Sequence, residues 1–163
     1  MAGVGATHPI TAGAALAEAP PDLSLRMSAG SWGKDGDFSM WLNPETEWTW
    51  HRLWALEHRF WDAVPAAMRR WDATPVLEQA GRELLLAQAS DWQFIISTGA
   101  AGDYATKRFN EHCDALESLL PFLEDPDSDL GIGTACAAEL QAVDGPFTDL
   151  IGAIAAASDV VAG

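Results

Sequence analysis

Between Asn43 and Pro121, apolar side chains recur at steps of three and four residues in three successive stretches. That spacing lines one face of a helix and cannot line one face of a strand. The first stretch opens at Asn43-Pro44-Glu45-Thr46-Glu47, with an Asn cap, a proline at the first helical position and acids beside the positive end of the helix dipole. It is predicted to run to about Val64, with Trp50, Leu53, Trp54, Phe60, Trp61 and Val64 on one buried face. Thr74-Pro75 starts the second, whose stripe is Leu77, Ala80, Leu84, Ala87, Gln88, Trp92 and Ile95, and which Gly99 and Gly102 end. Asp103 caps the third, with Ala105, Phe109, Cys113, Leu116 and Leu120 on one side and a stop around Pro121.

After the polar run Glu124-Asp125-Pro126-Asp127-Ser128-Asp129, a weaker helix is expected over roughly 131–143. The expected fold is all-α: an antiparallel bundle of three long helices plus a weaker fourth, preceded by an irregular Trp-rich loop marked by Gly30, Gly33 and Gly36. Residues 1–28 read as a lead-in rich in Ala, Gly and Pro without a helical period, except that Leu23 to Met27 alternate as a short strand would. Residues 29–145 form the helical domain, and in the apolar, Ala-rich tail 146–163 both helix and strand are compatible with the pattern.

A chain of 163 residues that is 48% hydrophobic can build one real core. Its net charge of −15 repels phosphate backbones and anionic headgroups, so neither nucleic acid nor a membrane surface is an expected partner. No run reaches the roughly 18 apolar residues that a membrane span needs, and the start lacks a basic signal segment, so a cytoplasmic location is expected. The two cysteines, Cys113 and Cys136, are expected to be reduced.

Eight tryptophans stand beside a single tyrosine, and seven of them, from Trp32 to Trp71, fall in one window. Trp48, Trp50, Trp54 and Trp61 have helical spacing and read as core or interface, and Trp71 and Trp92 as packing. Trp32 differs, because flanking glycines give its ring little local cover, whereas Trp41 could staple onto the first helical turn. Glu45 and Glu47 have a structural task at a helix start, and Asp35 and Asp37 suit turns, so no catalytic acid pair is expected. His51, His58, His112 and Cys113 lack the spacing of a closed metal site, and no phosphate loop or nucleophile motif occurs, so neither metal nor cofactor is expected.

The segment Ser31-Trp32-Gly33, followed by Met40-Trp41-Leu42-Asn43-Pro44-Glu45-Thr46-Glu47-Trp48-Thr49-Trp50, resembles the C-terminal region of family 57 branching enzymes, which act on α-1,4-glucans. The resemblance continues at Leu85-Leu86-Ala87-Gln88-Ala89-Ser90-Asp91-Trp92-Gln93-Phe94, at Thr98-Gly99 and from Tyr104 to His112, and Phe147-Thr148-Asp149-Leu150 is similar to a stretch near the family's end. It implies a helical portion that packs on a catalytic barrel and walls its glucan groove, with Trp32 and Trp41 reaching into the groove and Asp91 accepting sugar hydroxyls. In the family the glutamate nucleophile and aspartate acid–base lie in the barrel, upstream of all that aligns, so this chain is expected to carry no catalytic residue. Its partner would be an α-1,4-glucan such as amylose or glycogen once joined to that barrel, and a truncated or incompletely captured gene is the simplest expectation. The alternatives are a stand-alone all-α interaction module, or the same part of a family 57 amylase or another α-glucan-acting enzyme.

Overall fold

The computed structural model describes residues 9–161, so the first eight residues of the expected lead-in and the last two of the tail lie outside the described residues. All regular structure among them is helical, as the periodicity requires: α1 (Ala12–Glu18), α2 (Glu47–Ala67), α3 (Thr74–Ala87), α4 (Asp91–Thr98), α5 (Gly102–Glu124), α6 (Leu130–Val143) and α7 (Ile151–Val161). The chain divides into two compact units, residues 1–30 and 31–163. In the first, Thr11 Oγ1 accepts the Ala14 N–H at 3.2 Å and so starts α1, a short helix the lead-in was not expected to contain. The strand expected at Leu23 to Met27 does not form; the alternation is there, but no neighbouring strand pairs with it among the described residues, and the apolar side chains stay exposed.

In the second unit, direction alternates from α2 to α3, from α4 to α5 and from α5 to α6, whereas α4 continues in the direction of α3 and α7 in that of α6. Gln88 meets Glu57 at 3.0 Å and Gln93 meets Thr49 at 3.1 Å, which sets α3 and α4 against α2. His112 meets Glu83 at 2.9 Å, and Ser118 faces Cys136 at 3.9 Å, which continue the alternation through α5 and α6. The first and third rods are parallel neighbours, held by Arg52 on Asp114 and by Arg59 on Glu124 at 2.8 Å. Phe60, Val64, Leu77, Ala80, Leu84, Phe109, Cys113, Leu116 and Leu120 fill the core between them.

Several boundaries differ from the sequence reading. Asn43 does not cap α2; its Oδ1 accepts the Glu45 N–H at 2.8 Å in a turn, and the helix begins only at Glu47, after Thr46. That helix passes Pro65 to reach Ala67, and α5 likewise passes Pro121 to reach Glu124, each helix ending within three residues of its proline. Asp103 lies in the first turn of α5 rather than at its cap, which is Ala101. The expected second helix is two helices: at the break the Leu86 carbonyl accepts the Ala89 N–H at 3.3 Å and the Trp92 indole N–H at 2.8 Å. That carbonyl would otherwise accept the Ser90 N–H of a continuing helix. Gly99, at φ 67°, closes α4 in the left-handed conformation that glycine adopts freely. On the first stripe, Trp50 and Trp61 are half-buried but Trp54 is 46% exposed, displaced from the core face by Leu56 and Leu53. Trp71, expected to pack, sits in the turn between α2 and α3 and is 87% exposed.

The tail is helical and docks on α2 and α3. Glu78 Oε1 accepts the N–H groups of Leu150 and Ile151 at 3.2 and 3.3 Å, capping α7 from a distant helix. Ile154 is buried against Gly81, where a β-carbon would stand only 2.9 Å from its Cδ1. The link from α6 to α7 is tied down by buried Arg82, which donates to the carbonyls of Pro146 at 2.6 Å and Phe147 at 3.0 Å. Phe147 has φ 61°, a costly conformation for a non-glycine residue that these bonds hold in place.

Candidate functional site

Ser31 closes the Gly-rich loop at both ends. Its N–H donates to the Gly36 carbonyl at 2.9 Å, and its Oγ accepts the Phe38 N–H at 2.9 Å. Gly33 lies at φ 116°, where a side chain would be strained and its β-carbon would crowd Met40 at 3.2 Å. This tight loop presents Trp32, 70% exposed, with only part of its ring backed by other side chains. The Phe94 ring lies 5.5 Å from it, and the Trp41 ring meets it edge-on at 6.2 Å.

Trp41 sits in the turn before α2 and is half-buried. Its carbonyl accepts two side-chain bonds, from Thr46 Oγ1 and from the Trp50 indole, both at 2.8 Å. Asp91 stands in the first turn of α4, exposed, with Phe94 one turn further along the same face. Trp32, Trp41, Ser90, Asp91 and Phe94 line one concavity of about 470 Å³. All three residues singled out from the sequence therefore come together, although 59 positions separate the first from the last (91 − 32 = 59). Asp91 is the sole carboxylate in that lining, set beside aromatic faces.

Phe94 and Ser90 were not read as site residues. Their signal was in the Ser-Asp-Trp-Gln-Phe segment, because positions three apart share a helical face, but the expected unbroken helix drew attention to the buried stripe instead. A second concavity, of about 620 Å³, lies between α2, α3 and α7, walled by Phe60, Trp61, Leu84, Leu150 and Ile154. Its polar members Glu57 and Gln88 bond to one another, so it offers no group aimed at a ligand.

His112 also proves to have partners that its sequence spacing did not reveal. Atoms of Glu83, His112 and Asp144 lie within 4.8 Å of one another, the one such grouping among the described residues. Arg108 already occupies it. Its guanidinium lies 3.1 Å from His112 Nε2 and donates to Asp144 at 3.2 Å, while His112 Nδ1 meets Glu83 at 2.9 Å. Gln79 donates to the other Glu83 oxygen at 2.6 Å. The cluster is an internally satisfied charge network that fastens α3, α5 and the end of α6, and a cation there would have to displace Arg108.

A family model described as "1,4-alpha-glucan branching enzyme, C-terminal" matches residues 53–152. Among curated proteins, a 1,4-alpha-glucan branching enzyme of Thermococcus kodakarensis is 45% identical over 89 residues, which is 54% of this chain and 13% of that protein. Among solved structures, a GH57-type branching enzyme of Pyrococcus horikoshii superposes with a TM-score of 0.76 at 30% identity, covering 89% of this chain and 28% of that one. The GH57 branching enzyme of Thermococcus kodakaraensis, solved in complex with glucose and additives, gives a TM-score of 0.67 at 33% identity over 82% of this chain and 25% of that one. The chain thus spans between an eighth and just over a quarter of the length of these relatives.

Proposed function

This chain belongs to the family of C-terminal domains of 1,4-alpha-glucan branching enzymes, and we propose that its Trp32, Trp41 and Asp91 concavity is one wall of a site that binds an α-1,4-glucan. The observation that carries the reading is the meeting of two tryptophan rings and one carboxylate on a single surface, from segments far apart in sequence. The axial C–H groups of a glucose ring form an apolar patch that stacks on an indole face, while its hydroxyls stay free for polar partners. Asp91, with no protein partner among the described residues, is available to accept two of them. Retaining transfer needs two carboxylates roughly 5 Å apart, and the reading assigns both to residues outside this chain, which acts as wall and barrel partner rather than catalyst. No helix among the described residues is long and apolar enough to cross a membrane, and the charge of −15 opposes nucleic acid, so we place the protein in the cytoplasm with a neutral glucan as its ligand.

Trp32→Ala and Trp41→Ala test the reading, with maltoheptaose titrated into the chain and followed by the indole N–H resonances. Each variant is expected to lose about tenfold in affinity, equivalent to about 1.4 kcal/mol, while melting within a few degrees of the parent. Phe60→Ala is the core control, since Phe60 is 1% exposed and its truncation should cost about 3–5 kcal/mol of stability. Similar destabilisation at all three positions with unchanged maltoheptaose binding would reduce the tryptophan pair to ordinary packing.

A further inference from the structure

The segment that carries Trp41 belongs to no helix, so nothing in a regular ladder fixes where its indole points. What fixes it is a set of side-chain bonds on two consecutive carbonyls. Ser97, on α4, donates its hydroxyl to the Met40 carbonyl at 2.7 Å, and Thr46 and Trp50 hold the next carbonyl, that of Trp41. Asn43 completes the arrangement. Its amide donates to Ser97 Oγ at 2.8 Å and to the Ser39 carbonyl at 2.9 Å, while its Oδ1 accepts the Glu45 N–H. The Ser97 hydroxyl is thus used twice, as acceptor from Asn43 and as donor to Met40, and it bridges residues 54 and 57 positions away.

Helix α4 also carries Asp91 and Phe94, and Ser97 follows them at the same three-residue step. The bond pair therefore fastens the loop bearing one half of the concavity to the helix bearing the other half. Neither Asn43 nor Ser97 lines the concavity itself.

We propose that Asn43 and Ser97 are positioning residues, which set the spacing between the Trp32–Trp41 rings and Asp91 and thereby the affinity of this surface for an α-1,4-glucan. The proposal rests on the glucan reading above. Hydrogen bonds that hold a binding surface act on affinity through geometry, since a ring or carboxylate moved by an ångström no longer meets the same sugar.

The test measures maltoheptaose affinity of the whole chain by indole N–H shifts, at a temperature below every variant's melting point. Ser97→Ala and Asn43→Ala should each weaken binding about fivefold or more, the scale of one net hydrogen bond. Ser97→Thr keeps the hydroxyl and should bind within about twofold of the parent. Ser118→Ala removes a comparable helix hydroxyl outside the concavity, one that bonds its own helix carbonyl at 2.7 Å and Cys136 Sγ at 3.9 Å, and should leave the affinity unchanged. An unshifted Trp92 indole resonance in each variant reports that α4 remains seated. Full affinity in Ser97→Ala, alongside lost binding in Trp32→Ala and Trp41→Ala, would overturn the positioning role and leave the platform standing. Absence of indole shifts in the parent chain, or parent-like binding by both tryptophan variants, would sink the platform and this proposal with it.

Discussion

At Gly133 α6 packs against Phe122 of α5, and replacing this glycine with alanine sets two known quantities against each other. A β-carbon at Gly133 would stand 2.8 Å from Phe122 Cγ and 3.1 Å from both Cβ and Cδ1. Comfortable carbon contacts begin near 3.5 Å, so α6 must retreat by about 0.7 Å or the Phe122 ring must leave its rotamer. Cγ and Cδ1 could swing aside only by rotation about χ1, and Cβ cannot move without moving α5. Overpacking of this kind costs about 1–3 kcal/mol, while exchanging a helical glycine for alanine returns about 1 kcal/mol. The expected net loss is about 1 kcal/mol, read as a melting temperature lower by about 2–4 °C for a chain of this size. Gly152→Ala is the matched control, because nothing lies within 4 Å of a β-carbon there and only the helix-propensity gain should remain. Thermal melts followed by helical circular dichroism should therefore rank Gly152→Ala at or above the parent and Gly133→Ala below it. In a Phe122→Ala background the Gly133→Ala penalty should shrink, since only the 3.1 Å contact with the β-carbon at 122 remains, as a double-mutant cycle measures. A Gly133→Ala protein that melts at or above the parent refutes the packing argument.

Two further outcomes follow from single contacts. Glu78→Ala removes the distant cap of α7 and should cost about 1 kcal/mol, with faster amide exchange at Leu150 and Ile151 as the local check; unchanged exchange there would deny the cap. Burial pushes the Cys113 thiol up to about 12, with Arg52 opposing the shift, so at pH 8 a thiol reagent should label half-buried Cys136 and spare Cys113 until the chain unfolds. The same shift gives a sign for alkaline stability: the contribution is whole below the unfolded thiol's pKa of about 8.5 and is lost as pH rises towards 12, so a Cys113→Ala variant should show a flatter decline over that window.

Leu77, Ala80, Leu84 and Ala87, and the stripe Ala105, Phe109, Cys113, Leu116, Leu120, were legible and are all buried, whereas Gln88, read onto the first of these stripes, is exposed and Trp92 and Ile95 are only half-buried, because the helix ends at Ala87 and α4 starts a new face. The first helix was less legible at its start, since Asn43 beside Pro44 has the chemistry of a cap whether its oxygen serves a helix or a turn. The break at Gln88 to Ser90 was hidden because Trp92 continues the apolar spacing, and only the reach of its indole N–H to Leu86 shows that the backbone has turned. Tryptophan is also where burial misled. Trp54 and Trp71 are apolar enough for a core position, yet smaller residues fill the space, and volume is a property of neighbours that periodicity does not record. The α7 helix could have been chosen over a strand from its alanines and from Leu150 and Ile154 at a four-residue step, but the cap that fixes it comes from Glu78, 72 residues earlier. Trp32, Trp41 and Asp91 were paired with one another by resemblance, and their meeting depends on the Asn43–Ser97 bond that no local pattern announces.

Helix α4 has eight residues, too few to hold its own order in water. It is kept by Trp92, whose indole is tied to the end of α3, and by buried Gln93, bonded to Thr49 on α2. The surface bearing Asp91 and Phe94 depends on the bundle for its order and cannot persist once the bundle loosens. A ligand stacked on this surface would therefore raise the melting temperature of the whole helical unit.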